Sequence, residues 1–303
     1  MTKTKGHTMS YLDDAAWASL FAKPEQANDI DWGRAPLRFA AADSVLSLVS
    51  KRKIERWLVY GNLRYPQLNV SYGGEGAPPT TFTRARRLNQ HQLPGCAHAD
   101  DISTHLRQGA TLVLSNAEIW DEATAAFVHG LARPLACAVQ TYSYLTAPDR
   151  FGSKPHRDEG DVFAVQVEGS KEWTLYDLPT GEGWHRGHID EDTPVSAKIT
   201  LEPGDALYVP AGMGHRAQAG PEGSLHLTVS LEVLSPRNVI AAWAAQAAAQ
   251  FDRERLPMGA EGRPDAIRET LRRLAATTTT ADIDAIADAL VPPNSWPTQI
   301  SNL

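Results

Sequence analysis

Residues 154–176 read KPHRDEGDVFAVQVEGSKEWTLY, and the interpretation of the whole chain starts from this stretch. It opens on the triplet His-Arg-Asp at 156–158, which stands before an extended run that continues to residue 168. Apolar side chains dominate that run, as is typical of a strand buried in a β-rich core. A turn is predicted at Gly169, and a second strand is predicted to begin near Lys171.

Short strands separated by glycine and proline continue on both sides of this stretch. They are predicted at 135–145, 161–167, 172–177, 196–201, 206–209 and 224–233. A series of short strands with turn residues between them is typical of sandwiches and barrels, a group that includes jelly rolls. The sequence therefore predicts a mainly β fold, a double-stranded β-helix of the jelly-roll or cupin type.

Helical and mixed segments flank this β-rich region. Before it, helices are predicted at 10–22, 43–50, 97–108 and 121–132, and strands at 56–60, 67–72 and 109–114. After it, helices are predicted at 237–255, 265–275 and 281–290. We therefore expect an N-terminal tail and helix (1–29), a jelly-roll domain with its N-terminal flank (30–235) and a C-terminal helical region (236–303). The helical region is a candidate surface for a homodimer.

Composition argues against several classes of protein. The 303 residues carry a net charge of −7, with 42% hydrophobic and 21% charged residues, as in ordinary globular proteins. A negative chain argues against general nucleic-acid binding, which needs a basic face. Arg84, Arg86 and Arg87 form a local basic patch, which is interpreted as a solvated strand edge or loop. Cys96 and Cys137 form no disulfide framework. Because no apolar leader or membrane-length run is found, we expect a cytoplasmic protein without membrane contacts.

Three side chains form a candidate metal site. His156 and Asp158 stand two positions apart, so an extended backbone directs both side chains to the same side. His215 ends the segment LEPGDALYVPAGMGH at 201–215, whose two turns place it at the start of another strand. Two histidines and one carboxylate leave positions open for a bidentate cosubstrate and dioxygen, which suits Fe(II). The alternative is a β-sandwich on which these are surface side chains without a metal.

The motifs around these residues resemble those of one family. In order they are W-x-x-x-P-L at 32–37, GATLVL at 109–114, PHRD followed by DVF at 155–163, and L-x-P-G-D-x-L-Y-x-P at 201–210. Over about residues 30–233 the chain resembles the JmjC-type Fe(II)/2-oxoglutarate-dependent oxygenases, and among them the cupin-like ribosomal-oxygenase group. The resemblance implies a jelly-roll fold that binds Fe(II), with 2-oxoglutarate and O2 as cosubstrates.

The resemblance also implies a cosubstrate site. Lys171 stands where many relatives use a cation to pair with the distal carboxylate of 2-oxoglutarate, and Tyr144 stands where relatives use a hydroxyl for the same group. Thr228, on the last strand, is a further candidate for this site. The alternative for Lys171 is an amine that reaches outward to solvent beside the predicted turn. His226 shares a strand face with Thr228 and is either a supporting residue of the site or a core histidine.

The function that the resemblance implies is the hydroxylation of a C–H bond in an amino-acid side chain of a protein or peptide. A hydroxylase of a small metabolite is the alternative. Two other classes also fit: a cupin-like metal-binding protein without 2-oxoglutarate chemistry, and an interaction module that uses the C-terminal helices. Arg157 leaves the substrate class open, since relatives often carry an aromatic or apolar residue there. His185 and His188 are interpreted as solvated loop residues.

Overall fold

The computed structural model describes residues 17–61, 63–179, 184–232, 236–249, 263–277 and 283–286. These residues belong to two compact units. The larger unit takes in the described residues of 1–135 and 139–233, and the smaller unit takes in those of 136–138 and 234–303.

Strands dominate the described part of the larger unit. They are β1 (Leu37–Ala40), β2 (Leu68–Tyr72), β3 (Glu75–Gly76), β4 (Thr83–Leu88), β5 (His91–Ala97), β6 (Thr111–Ser115), β7 (Val139–Thr146), β8 (His156–Arg157), β9 (Asp161–Tyr176), β10 (Gly187–His188), β11 (Val195–Leu201), β12 (Asp205–Val209) and β13 (His215–Leu231). Its helices are α1 (Asp43–Leu46), α2 (Lys51–Tyr60), α3 (Ala99–Arg107) and α4 (Glu122–Leu135), with 3-10 turns at Pro24–Asp29, Pro79–Thr81 and Ala117–Ile119.

The strands pair in the order β1-β12-β9-β13-β7-β6-β2-β3, and every pairing is antiparallel. β11 adds to β9, β8 adds to β13, and β10 adds to β8. β4 and β5 form a separate hairpin. This is the mainly β architecture that the strand pattern predicts, with helices added at the N-terminal side.

The prediction of a turn at Gly169 is wrong, because β9 runs unbroken from Asp161 to Tyr176. Instead, the register against β13 shifts where Gln166 faces His226 and Glu168 faces Leu225, which leaves Val167 as one extra residue. Such a β-bulge reverses which alternate side chains face a given side. The inward-facing residues are therefore even-numbered before the bulge and odd-numbered after it, and Lys171 faces inward.

The inward faces of the central strands share one apolar core. Its buried members are Val162, Ala164, Trp173, Leu175, Leu201, Leu207, Val209, Met213 and Ala217. On the opposite face of β9 and β12, Phe163 and Tyr208 contact the rings of Trp32 and other N-terminal aromatic residues. Each fully buried large apolar side chain contributes roughly 1.5–3 kcal/mol, so the sheet is stabilised from both faces.

The strand predicted at 56–60 is wrong, because these residues belong to α2. Ser50 caps this helix: its side chain accepts a hydrogen bond from the backbone N–H of Lys53, at 3.1 Å. Ile54 and Leu58 then fall one turn apart on the buried side. The cap and the buried pair outweigh the strand preference of the aromatic and β-branched residues near Val59.

The helix predicted at 10–22 lies largely outside the described residues, and in its described part Phe21 forms a β-bridge with Ala41. The smaller unit contains α5 (Pro236–Ala249), α6 (Arg263–Thr277) and a helical turn at 283–286. No helix in the described ranges is both long and apolar enough to span a bilayer. Cys96 and Cys137 are not joined in a disulfide bond.

Candidate metal centre

The three predicted metal ligands lie together where β8 meets the start of β13. The strands whose inward faces share the apolar core are called the barrel below, and the end that holds these ligands is called its mouth. Ligand atoms of His156, Asp158 and His215 all lie within 4.8 Å of one another, and they form the one such cluster found in the described part of the chain. The Asp158 carboxylate is 3.9 Å from Nε2 of His156 and 3.5 Å from Nε2 of His215. His156 and His215 pair across β8 and β13, which fixes the separation of the two rings.

Backbone carbonyls orient both imidazole rings. Nδ1 of His156 lies 2.9 Å from the carbonyl oxygen of Lys154, and Nδ1 of His215 lies 3.1 Å from that of Met213. A carbonyl can only accept a hydrogen bond, so each Nδ1 carries the proton and donates it. Each Nε2 therefore presents a lone pair toward Asp158, which is the tautomer that a metal ligand requires.

Burial keeps the inner histidine neutral. His215 is 5% exposed, and burial lowers its pKa to about 4, with a further contribution from the neighbouring His156. The Asp158 side chain is 43% exposed, so the cluster is open on the side of the carboxylate. The arrangement combines one anionic and two neutral donors with an accessible face.

Asp161 ties the two ligand-bearing turns to each other. Its buried Oδ1 accepts hydrogen bonds from the Tyr208 hydroxyl at 3.1 Å and from the backbone N–H of Ala211 at 2.8 Å. The backbone N–H of Gly212 also donates to the carbonyl oxygen of Asp158, at 2.9 Å. These bonds join the start of β9 to the turn before β13 and hold the three ligands in register.

The turn before His215 requires glycine at position 212. Gly212 has a φ of +81°, and a Cβ there would lie 2.8 Å from the ring of Trp184. A larger residue would therefore strain the backbone and displace the indole. The close approach of Trp184 brings the segment before β10 against the metal-ligand turn.

Lys171 lies on the inward face of β9 and is 1% exposed. Its Nζ lies 3.2 Å from the Thr146 hydroxyl and 3.1 Å from Nδ1 of His226. Within the described residues it has no acidic partner, and burial lowers its pKa to about 7. The burial of Lys171 excludes the outward-reaching alternative and leaves a cationic group inside the barrel without an opposite charge.

Tyr144 and Thr228 face the same side of the sheet as His226. The β7–β13 register pairs Tyr144 with His226, and the two rings stack at 4.8 Å with an angle of 5°. Thr228 is 8% exposed and lies two positions further along β13. The hydrogen bonds of Lys171 go to Thr146 and His226, however, rather than to these two hydroxyls. Thr146 was missed by the sequence reasoning, although it shares a strand face with Tyr144.

Trp173 connects the metal ligands with the buried cation. Its ring lies 5.6 Å from that of His215 and 5.7 Å from that of His226, centroid to centroid. The residue is 3% exposed, and its buried indole N–H has no hydrogen-bond partner within the described residues. Sequence reasoning did not identify Trp173, although it follows Lys171 by two positions on the same strand face.

His188 pairs with His156 across β10 and β8 but is exposed and is not part of the metal cluster. His185 is exposed as well. Arg157 is half-buried between the ligands His156 and Asp158 and lies opposite Gly187 in the same pairing. These residues border the open side of the cluster.

Comparison with known proteins identifies the domain that holds this site. Residues 120–239 match the family described as the JmjC domain, and this range includes His156, Asp158, Lys171 and His215. The part of the chain that holds the candidate metal site is therefore similar to the JmjC domain.

The relatives of this chain include two groups of named proteins. The bifunctional lysine-specific demethylase and histidyl-hydroxylase NO66 of Culex quinquefasciatus is 31% identical over 193 residues, which is 61% of this chain and 28% of the relative. Ribosomal oxygenase 1 of Gallus gallus is 28% identical over 225 residues, which is 71% of this chain and 36% of the relative. The chain therefore spans about a third of the length of these relatives.

Solved structures support the fold of this chain. The ribosomal oxygenase YcfD from Escherichia coli, in complex with cobalt and 2-oxoglutarate, matches with a TM-score of 0.52 and 18% identity over 84% of this chain and 66% of that chain. Another structure of E. coli YcfD gives a TM-score of 0.54 at 17% identity, over 88% of this chain and 71% of that chain. The mainly β, cupin-like fold predicted from the sequence is confirmed.

Proposed function

We propose that this protein is an Fe(II)- and 2-oxoglutarate-dependent oxygenase that hydroxylates a C–H bond in an amino-acid side chain of a protein or peptide. One observation carries the proposal: a three-ligand cluster and a buried cation without a counter-charge belong to the same barrel. A metal-binding protein that binds no 2-oxoglutarate would not need a buried lysine without a counter-charge.

His156, Asp158 and His215 would hold the metal. Their two neutral nitrogens and one carboxylate fit Fe(II), and three protein ligands leave positions for other molecules. Bound iron with 2-oxoglutarate and O2 supplies the oxidising chemistry. The protein contributes the fixed orientation of the imidazoles, through the carbonyls of Lys154 and Met213, and a pocket whose inner end is shielded from water.

Lys171 would anchor the distal carboxylate of 2-oxoglutarate. An isolated charge is costly in an apolar interior, and an ammonium there is stabilised when an anion arrives. Thr146 and His226 hold the amine in place, while Tyr144 and Thr228 supply hydroxyl groups on the same inward face. The indole N–H of Trp173 is a further donor available to the cosubstrate.

The proposal of a protein or peptide substrate rests on the names of the relatives and on the open side of the cluster. Relatives are named as a histidyl-hydroxylase and as ribosomal oxygenases. The half-exposed Asp158 and the exposed β10 strand beside it leave access for a side chain presented on a larger molecule. A site that admits only small molecules would not need an exposed strand beside its metal ligands.

Anaerobic absorption spectroscopy tests the cosubstrate assignment. Fe(II) followed by 2-oxoglutarate should produce a visible metal-to-ligand charge-transfer band in the wild type. His156→Ala should abolish the band, and Lys171→Met should shift its half-saturation to higher 2-oxoglutarate. A folded, iron-loaded wild type that gives no band would contradict the proposal.

Mass spectrometry then tests the substrate class. Peptide and metabolite fractions of a cell extract are incubated separately with the enzyme, Fe(II) and 2-oxoglutarate. We expect a mass gain of one oxygen atom in peptides, absent without 2-oxoglutarate and absent with His156→Ala. The same gain confined to the metabolite fraction would replace the peptide proposal with a small-molecule one.

We also infer a homodimer that uses the C-terminal helices. Val239 and Ile240 on α5 are 47% and 62% exposed, and Ile267 and Leu271 on α6 are 42% and 59% exposed. Exposed apolar side chains on helices are typical of association surfaces. Light scattering should give twice the chain mass, and Ile240→Asp with Leu271→Asp should give the monomer mass.

A further inference from the structure

Charge is unevenly distributed along the chain. Residues 51–97 contain eight lysine and arginine residues and two glutamates, a net charge of +6. The whole chain has a net charge of −7, so the other residues together carry −13. A basic segment in an acidic protein is a local feature that the overall charge conceals.

Helix α2 places part of this charge in a single row. Arg52, Arg56 and Tyr60 follow one another at four-residue intervals and therefore lie along one side of the helix. All three are exposed, and Tyr60 is 78% exposed. Within the described residues the guanidinium groups of Arg52 and Arg56 have neither an ion pair nor a hydrogen bond.

The row borders a cavity of about 620 Å³. The cavity is lined by Ser50, Arg52, Lys53, Arg56, Trp57, Tyr60, Gly61 and Asp121. Its one acidic side chain, Asp121, is already paired with Lys53 at 3.0 Å, and Lys53 also lies 5.0 Å from the ring centroid of Trp57. The two arginines therefore give the cavity an uncompensated positive charge beside two aromatic rings.

The chain leads directly from α2 to a second basic element. After Gly61, Leu63 and Tyr65 form backbone hydrogen bonds with β5, and Tyr65 is 48% exposed. The hairpin β4–β5 carries Arg84, Arg86 and Arg87 and no acidic residue. Arg84 pairs with Asp101 outside the hairpin. The exposed Arg87 adds positive charge to the same segment.

We propose that the Arg52–Arg56–Tyr60 row and its cavity bind single-stranded nucleic acid. Guanidinium groups contact phosphates, and exposed aromatic rings stack with unpaired bases, which together form the usual single-strand binding surface. A duplex would keep its bases from Tyr60 and Trp57, and an anionic lipid surface offers no base to stack. This binding is independent of the metal site.

Fluorescence anisotropy with labelled 12-mers of oligo(rU) and oligo(dT) tests the proposal on the full chain. We expect a dissociation constant on the order of 10⁻⁵ M at low salt. Contacts of Arg52 and Arg56 to about two phosphates predict a slope of about −1.4 for the logarithm of the association constant against the logarithm of salt concentration. Absence of binding at low salt would overturn the proposal.

Two variants separate this surface from general charge effects. Arg56→Glu should weaken binding about tenfold or more, whereas Lys23→Glu, which makes the same charge change at an exposed site outside 51–97, should leave it nearly unchanged. Equal effects of the two variants would contradict the assignment of the site.

Tyr60→Ala tests the choice of partner. Loss of one stacked base should weaken binding about fivefold or more while the salt slope stays the same. Wild-type affinity after Tyr60→Ala, or stronger binding to phosphatidylserine vesicles than to the 12-mers, would refute a nucleic-acid partner. Unchanged 2-oxoglutarate-dependent spectra in Arg56→Glu would show that the two sites are separate.

Discussion

The two ends of the barrel interior are built in different ways. At the mouth, backbone carbonyls orient His156 and His215, and Asp158 remains half-exposed. At the inner end, Lys171 is 1% exposed and is contacted by the side chains of Thr146 and His226. The mouth is thus fixed by the main chain, and the inner end depends on a side-chain network that lacks a negative charge.

The two ends therefore contribute in different ways to the binding of a metal and of an anion. Backbone contacts preorganise the imidazoles at little cost when a metal arrives, because their tautomers are already set. The amine of Lys171, in contrast, is desolvated before any anion is present, and this desolvation opposes stability. Substitutions at the two ends should therefore affect different ligands, and removal of the charge at the inner end should not lower stability.

The largest expected effect is at the mouth. His156→Ala removes a direct ligand, so we expect a loss of turnover greater than the roughly 100-fold seen when only an outer-shell partner of a ligand is removed. Iron binding should weaken in parallel, as measured by titration under anaerobic conditions. His188→Ala is the matched control, because His188 is exposed and pairs with His156 across the strands. Equal loss in both variants would contradict the assignment of the ligands.

The next effect is at the inner end. Lys171→Met keeps the side-chain length and removes the charge, and we expect 2-oxoglutarate affinity to fall by at least about 30-fold. Iron affinity should stay within error, and the melting temperature without cosubstrate should be unchanged or higher, because a desolvated amine has been removed. Lys198→Met, on the exposed side of β11, is the control. Loss of iron binding in Lys171→Met would show that the two ends are not independent.

The inner end should also make cosubstrate binding depend on pH. Burial lowers the pKa of Lys171 from 10.5 to about 7, and a bound carboxylate favours the ammonium and raises that pKa again. Above pH 7 the protein must therefore take up a proton when 2-oxoglutarate binds, and affinity falls as pH rises. Calorimetry in two buffers of different ionisation enthalpy measures this uptake, which should disappear in Lys171→Met.

Stability of the cosubstrate-free protein should show the opposite trend. Between pH 7 and 10.5 the unfolded chain keeps the Lys171 proton that the folded protein has lost. The unfolded state therefore binds more protons, and the free energy of unfolding rises with pH through this window. Urea unfolding at pH 7 and 9, compared between wild type and Lys171→Met, isolates this contribution. A wild type that loses stability relative to the variant as pH rises would contradict it.

The smallest expected effect lies between the two ends. Trp173→Phe keeps a ring beside His215 and His226 and removes the indole N–H. If that group donates to the cosubstrate, 2-oxoglutarate affinity should fall about two- to tenfold, as for one net hydrogen bond. The spectroscopic titration measures this, with iron affinity as the internal control. Unchanged affinity would mean that the N–H does not contact the cosubstrate.

The mouth of the barrel could be predicted from the sequence, since the spacing of His156 and Asp158 and the two turns before His215 are local features. The inner end could not be derived in the same way. Lys171 was identified through the resemblance, but its inward direction depends on the extra residue Val167, which follows from pairing with a distant strand. The side-chain contacts of Thr146 and Trp173 depend on the same long-range register.

For helix α2, local side-chain preferences led to a wrong prediction. Trp57 to Tyr60 favour a strand by their side chains, yet the cap at Ser50 and the burial of Ile54 and Leu58 decide for a helix. The row of Arg52, Arg56 and Tyr60 exists because of that outcome. A strand at 56–60 would have placed Arg56 and Tyr60 roughly 13 Å apart along the chain, about twice their spacing on the helix.

The bulge at Val167 determines the sign of the electrostatic potential inside the barrel. If β9 kept all its residues but paired with β13 without this bulge, its alternation would continue unshifted, and Glu172 and Thr174 would take the inward positions of Lys171 and Trp173. A carboxylate would then stand where a dicarboxylate cosubstrate is expected to bind, and it would repel it. One extra residue in β9 thus decides whether the inside of the barrel attracts or repels anions.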